Sequence, residues 1–141
     1  MTNIDILKRK LSQIQKYFAI LEPLKQYTKE KISTDEILYG AIERYLYLLC
    51  QATIDFAEAV ITYSNLRKPG TYGEIFEILS EGNGLISRET SLKMKKLTGF
   101  RNILSHEYGR VNFEEIYNVL MKDITDIHVF LDEIKVKIIL S

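Results

Sequence analysis

The sequence has one cysteine, two prolines, seven glycines and two histidines among its 141 residues. A single thiol, Cys50 in Leu48-Leu49-Cys50-Gln51-Ala52, makes no internal disulfide or cysteine-based zinc site by itself, so it reads as a small buried hydrophobe compatible with the cytosol. Two histidines and one cysteine are also too few for a dedicated transition-metal site, and neither metal nor cofactor is expected. Charge of one sign is missing too: 19 Lys+Arg meet 19 Asp+Glu. That balance argues against a protein that coats nucleic acid by bulk electrostatics, while leaving room for a local basic surface. No apolar run approaches the ~18 residues of a membrane span. Met1-Thr2-Asn3-Ile4-Asp5 runs straight into mixed charged and apolar residues, so the expectation is a cytoplasmic protein, neither secreted nor membrane-spanning. The Gly-Lys-Ser/Thr phosphate loop, the His-Glu-x-x-His zinc motif and the nucleophile elbow are all absent. The lone Gly82-Asn83-Gly84 follows a helical pattern and reads as a loop.

What is present is a chain 46% hydrophobic and 27% charged, enough for one core in a single domain over residues 1–141. The apolar spacing is helical. Ile4, Leu7, Leu11, Ile14, Phe18 and Leu21 form one stripe of a first helix, which Pro23 should kink or end. Ser33-Thr34-Asp35-Glu36 has a capping-box spacing at the start of a second helix running to about Asn65. That helix is roughly 30 residues and about 45 Å long at 1.5 Å per residue. Pro69-Gly70 forces a turn into a short helix over Tyr72 to Leu79. Ser87 or Ser91 caps a fourth helix running to about Tyr108, with Gly109 as its stop. Asn112, with Glu115 three residues on, starts a fifth through Ile116, Leu120, Ile124, Ile127, Phe130, Leu131, Ile134 and Ile138. The fold class is all-α: an antiparallel bundle of four long helices plus a short one.

Chemistry concentrates in Leu97-Thr98-Gly99-Phe100-Arg101-Asn102-Ile103-Leu104-Ser105-His106-Glu107-Tyr108. On an ideal helix Leu97, Phe100, Ile103 and Leu104 face inward, and Arg101, Asn102, Ser105 and His106 face solvent. Arg101 and His106 stand about 140° apart, so they meet one ligand only if it is large, if the helix is distorted, or if a partner chain brings them together. Tyr108 lies within about 20° of Arg101, two turns along. A histidine that titrates near neutrality and a fixed guanidinium suit phosphodiester cleavage without metal: the imidazole moves a proton to or from ribose oxygens, and the fork binds the phosphorane charge. Asn102, one turn before His106, is placed to orient the imidazole or bind a phosphate oxygen. Between Arg88 and Arg110 six Lys/Arg oppose two acids, a local surplus suited to a polyanion. Taken on physics alone, however, such an Arg and His are more often a solvated face. His128 reads as a core-edge or surface residue, and Tyr39, Tyr45, Tyr47 and Tyr63 as packing.

The segment Arg101-Asn102-Ile103-Leu104-Ser105-His106, with Tyr108 two beyond the His, resembles the Arg-x4-His-x-Tyr signature of the HEPN superfamily, most of all HepT-type toxins. Leu97-Thr98-Gly99-Phe100, Ala41-Ile42-Glu43-Arg44 and Ala52-Thr53-Ile54-Asp55 extend the similarity over the chain from about Asp35. The resemblance implies a metal-independent endoribonuclease, the toxin of a type VII toxin–antitoxin system, with Arg101 and His106 catalytic and Asn102 and Arg44 auxiliary. It implies a homodimer whose motif helices face each other across an RNA cleft. The partner implied is an MntA-like nucleotidyltransferase antitoxin that silences the toxin by AMPylating Tyr108. Phosphate charge and bulk placed beside Arg101 would block substrate phosphate, which fits such a switch. Gln51 departs from the pattern, standing where many relatives carry Glu. Glu43 is a candidate partner for Arg44 or for Arg101, and the sequence does not choose. Two other readings compete: a non-catalytic HEPN companion that binds substrate for or regulates a nucleotidyltransferase, and a dimeric helical bundle with no ligand.

Overall fold

The computed structural model describes residues 3–105 and 112–139. Among these the regular structure is entirely helical: α1 (Asn3–Leu21), α2 (Lys29–Thr34), α3 (Glu36–Tyr63), α4 (Tyr72–Ser80), α5 (Arg88–Ser105), α6 (Phe113–Asn118) and α7 (Thr125–Lys137). A 3-10 turn spans Glu22–Gln26 and a π-helical stretch spans Val119–Asp123. No described helix is long and apolar enough to cross a membrane.

Of the stripe predicted for α1, Leu7, Leu11, Ile14, Phe18 and Leu21 are buried, while Ile4 in the first turn is only half-buried. The helix ends where Pro23 enters the first turn of the 3-10 segment. The next boundary differs from expectation. Ser33 does not cap the long helix; it lies inside α2, its hydroxyl donating back to the Glu30 carbonyl at 2.9 Å. Asp35 is the cap instead, extended at φ −99° and accepting from the Leu38 amide at 3.0 Å. A carboxylate is the stronger acceptor at a positive helix end, and this bond, with Lys31 beside it, holds the Asp35 carboxyl below its usual range.

Helix α3 lies at the centre, packed on α1, α2, α4 and α5, with α4 also on α5 and α5 on α7. Phe130 of α7 meets Phe56 of α3 and Phe76 of α4 edge-on, with centroids 6.3 and 5.5 Å apart. His128 lies at the core edge, its ring stacked on Phe18 at 4.0 Å. No buried side-chain nitrogen or oxygen among the described residues lacks a partner.

The last long helix begins as expected, with the Asn112 side chain accepting from the amides of Glu114 and Glu115 at 2.7 and 3.3 Å. It is not continuous: the π stretch interrupts it, and the Ile124 amide reaches back five residues to the Val119 carbonyl at 3.1 Å. Val119 and Leu120 at the start of the stretch, and Ile124, Ile127 and Phe130 after it, are all buried. Ser87 rather than Ser91 caps α5, accepting from the Thr90 amide at 3.1 Å, whereas Ser91 is buried within the helix. Glu133 of α7 completes that cap by accepting from the Ser87 amide at 2.7 Å and from the Thr90 hydroxyl. A carboxylate from a neighbouring helix thus anchors the positive end of α5. Glu133→Ala is expected to lower unfolding free energy by about 2 kcal/mol, the worth of charge-assisted bonds at a helix start. Urea denaturation checks this, and an unchanged midpoint would show the anchor to be idle.

Candidate functional site

The seam between α3 and α5 carries the polar residues of the site. Along α3 the positions Gly40, Glu43, Arg44, Tyr47 and Gln51 follow helical spacing and stay exposed or half-buried beside the core stripe of Ile42, Leu46, Leu49 and Cys50. On α5, Leu97 and Phe100 are buried as expected and Leu104 is half-buried, but Ile103 is 39% exposed, contrary to its assignment to the inward face. Asn102 and Ser105 are exposed, as expected, and the Ser105 hydroxyl donates to the Asn102 carbonyl at 2.9 Å.

Arg101 departs from the helical-wheel expectation of a solvent-facing side chain: it is half-buried and turned onto α3. Its Nε donates to Gln51 Oε1 at 2.7 Å, Nη2 to the Tyr47 hydroxyl at 3.3 Å and Nη1 to Asn102 Oδ1 at 3.2 Å. The guanidinium carbon lies 5.2 Å from the Tyr47 ring centroid and 5.4 Å from that of Tyr72, the first residue of α4. The wheel gives the azimuth of the Cα–Cβ bond, whereas a long Arg stem bends to whatever polar and aromatic groups the adjacent helices offer. Gln51 is fixed in turn, its Nε2 donating to Asp55 Oδ1 at 2.8 Å, which leaves its carbonyl oxygen for Arg101.

Arg44 is exposed and lies 5.6 Å from the Tyr47 centroid, so Tyr47 stands between the two arginines. Glu43 pairs with neither; it is half-buried, and burial raises its carboxyl above the usual range. Tyr39 and Tyr45 pack as expected, against Phe113 and Tyr17, whereas Tyr47 serves Arg101. His106 and Tyr108 lie outside the described residues. The structure therefore brings together Arg101, Asn102 and, through Tyr47, Arg44. It adds Tyr47, Tyr72 and Gln51; Tyr47, expected to pack, instead contacts Arg101, and the one sequence signal for that role is its helical spacing with Arg44 and Gln51.

Among the described residues the electrostatics leave Arg101 uncompensated, as they do the neighbouring Arg44. The described hydrogen-bond partners of Arg101 are neutral amides and a phenol, so its charge is positioned without being cancelled. Arg67 is the contrast, forked onto Glu81 and bound to Glu74 at 2.7–3.0 Å and held above the ordinary guanidinium range by them. Part of the basic surplus around the motif is likewise spent, since Lys95 pairs with Glu77 and Lys93 with Glu89 and Asp126. Beside the site, Gly40, Glu43, Arg44, Tyr47, Leu104 and Ser105 line a cavity of about 380 Å³. Among the described residues no group of three or more His, Cys, Asp or Glu is placed to hold a metal ion.

The described residues thus form an all-α bundle with an uncancelled arginine at a helix seam. The family described as Ribonuclease HepT-like matches residues 7–134. The mRNA nuclease HepT of Shewanella oneidensis is 28% identical over 135 residues, covering 96% of this chain and 95% of the relative. A crystal structure of a toxin–antitoxin with AMP-PNP superposes with a TM-score of 0.84 at 26% identity, over 94% of this chain and 98% of that one. The tri-AMPylated Shewanella oneidensis HEPN toxin in complex with its MNT antitoxin gives 0.70 at 27% identity, over 95% and 94%. The chain belongs to the HepT-like ribonuclease family.

Two expectations follow from this geometry. Gln51→Ala removes the acceptor that fixes Arg101 Nε and should lower RNA cleavage about tenfold with the helical circular dichroism unchanged; wild-type kinetics would show Gln51 to be a bystander. Burial pushes the Cys50 thiol up to about 12, with the Arg101 charge offsetting part of the rise. Below that value the thiol stays protonated, so a thiol-specific disulfide reagent at pH 8 should label Cys50 only after unfolding.

Proposed function

We propose that this chain is the endoribonuclease toxin of a toxin–antitoxin pair, acting as a homodimer without a metal, with Arg101 and His106 catalytic and Tyr108 the site at which an MntA-like nucleotidyltransferase antitoxin attaches AMP. The observation that carries this reading is the state of Arg101: a fixed guanidinium, stacked on tyrosines and bonded to neutral groups, which a substrate phosphate can engage without first breaking an ion pair. Relatives support the nuclease and toxin–antitoxin parts of the reading, one being an mRNA nuclease and another a tri-AMPylated toxin in complex with an antitoxin.

In the proposed reaction the ribose 2′-oxygen bonds to the adjacent phosphorus as the bond to the 5′-oxygen breaks. The 2′-hydroxyl proton passes to a neutral imidazole and the departing 5′-oxygen receives one from an imidazolium, leaving a 2′,3′-cyclic phosphate and a 5′-hydroxyl. Arg101 holds the charge that grows on the phosphorane oxygens. Asn102 and Arg44 are auxiliary, at the phosphate and along the flanking strand. A dimer would supply the convergence that an ideal helix denies to residues five apart such as Arg101 and His106. AMP on Tyr108 would place a phosphate and a nucleoside beside the same guanidinium, competing with RNA.

The test is cleavage of cellular RNA by purified protein in EDTA, with product ends identified by mass spectrometry. Wild type should cut, leaving cyclic phosphates; His106→Ala should lose about 10²–10⁴-fold in rate and Arg101→Ala about 10²-fold or more. Cleavage that persists in His106→Ala, or that needs a divalent cation, would refute the assignment. Incubated with the antitoxin and ATP, wild type should gain AMP and fall silent, whereas Tyr108→Phe should keep cutting.

A further inference from the structure

We infer that the cavity lined by Gly40, Glu43, Arg44, Tyr47, Leu104 and Ser105 is a base-recognition subsite for a guanine flanking the scissile phosphate, with the Glu43 carboxylate reading its N1–H and N2–H₂ donors. The inference rests on the ribonuclease reading above and adds a substrate preference to it. The cavity shares a wall with the phosphate-binding group, because Tyr47 lines it and also accepts a hydrogen bond from Arg101. A volume of about 380 Å³ admits a purine. Its walls offer the exposed planar Arg44 cation, 5.6 Å from the Tyr47 ring centroid, a surface on which an unstacked base rests in single-stranded RNA complexes.

Glu43 decides which base. A carboxylate beside an RNA path repels phosphate, and half-burying one without a partner costs solvation. Glu43 has no hydrogen bond or ion pair among the described residues, although Arg44 is adjacent in sequence and other acids of the chain, such as Glu74 and Glu81, take up a guanidinium. An ionised carboxylate only accepts, so the ligand that satisfies it brings two neighbouring N–H donors on one planar edge. Among the four bases guanine alone has that pair, while adenine, cytosine and uracil each offer a single donor group on their Watson–Crick edge. Gly40 keeps the entrance clear: a Cβ there would meet nothing within 4 Å.

The experiment uses uridine oligoribonucleotides carrying one central guanosine, inosine, adenosine or 7-deazaguanosine, with cut positions and kcat/KM read for each. Wild type should cut beside guanosine and 7-deazaguanosine about tenfold or more faster than beside inosine or adenosine, the discrimination a bidentate contact provides. Glu43→Gln should collapse that ratio toward one. Gly40→Leu, which fills the cavity and replaces glycine with a better helix former, should slow the guanosine substrate more than the adenosine one. Equal cutting beside all four bases by wild type, or a guanine preference that survives in Glu43→Gln, would overturn the inference while leaving the ribonuclease reading intact. Cleavage of none of the four by protein that cuts cellular RNA would also overturn the inference alone, and inactivity on both substrates would overturn both.

Discussion

The contact on which the site depends is the wedge that Arg101 drives into the seam between α3 and α5. Three neutral acceptors and two tyrosine rings, from α3, α4 and α5, converge on one guanidinium. For the wedge to exist, α3 must bury one side against four other helices and still keep Tyr47 and Gln51 on its remaining edge, and α4 must begin with Tyr72 beside them. The Phe56–Phe76–Phe130 cluster and the Glu133 anchor at the start of α5 set that spacing from the far side of the bundle. Packing and site are therefore linked through α5: the core holds its inner face and its first turn, and the polar seam is what that placement leaves over.

The parts legible in the sequence are those governed by local rules. A stripe at steps of three and four predicts the buried face of α1, proline ends it, and an Asn with Glu three residues on starts α6. The errors arise where two local signals compete or where the answer lies in another helix. Ser33 and Asp35 both have capping chemistry, and the carboxylate wins because α2 already claims the serine. The π stretch at Val119–Asp123 obeys no composition rule visible in the chain; its residues pair five apart while the apolar pattern runs on. Ile103 has the right azimuth for the core, yet no neighbour covers it fully.

Arg101 shows the same limit at the site. The motif that carries it is visible in the sequence, and so is its place on a helix, but a wheel cannot show that α3 offers an amide oxygen and a phenol within reach. Tyr47 read as packing because tyrosines on a long apolar helix usually pack, as Tyr39 and Tyr45 do here. Tyr72 had no signal beyond following Pro69-Gly70. Pairing across helices is a tertiary fact, and no periodicity encodes it.

The neutrality of the clamp makes the departure at Gln51 compatible with the role proposed for Arg101. A glutamate there would fix Arg101 Nε as well as glutamine does, but it would also place a formal negative charge against the guanidinium, and an incoming phosphate would then compete with a carboxylate already in place. With glutamine, orientation and charge are separated: Asp55 holds the Gln51 amide through its nitrogen, and the amide oxygen holds the arginine without neutralising it. Arg67 shows the opposite arrangement in the same chain, forked onto one carboxylate and bonded to a second, and it serves as a tie between the α3–α4 connection and α4 rather than as a receptor. Two arginines of equal charge thus differ in what they can bind because one is held by acids and the other by amides and rings.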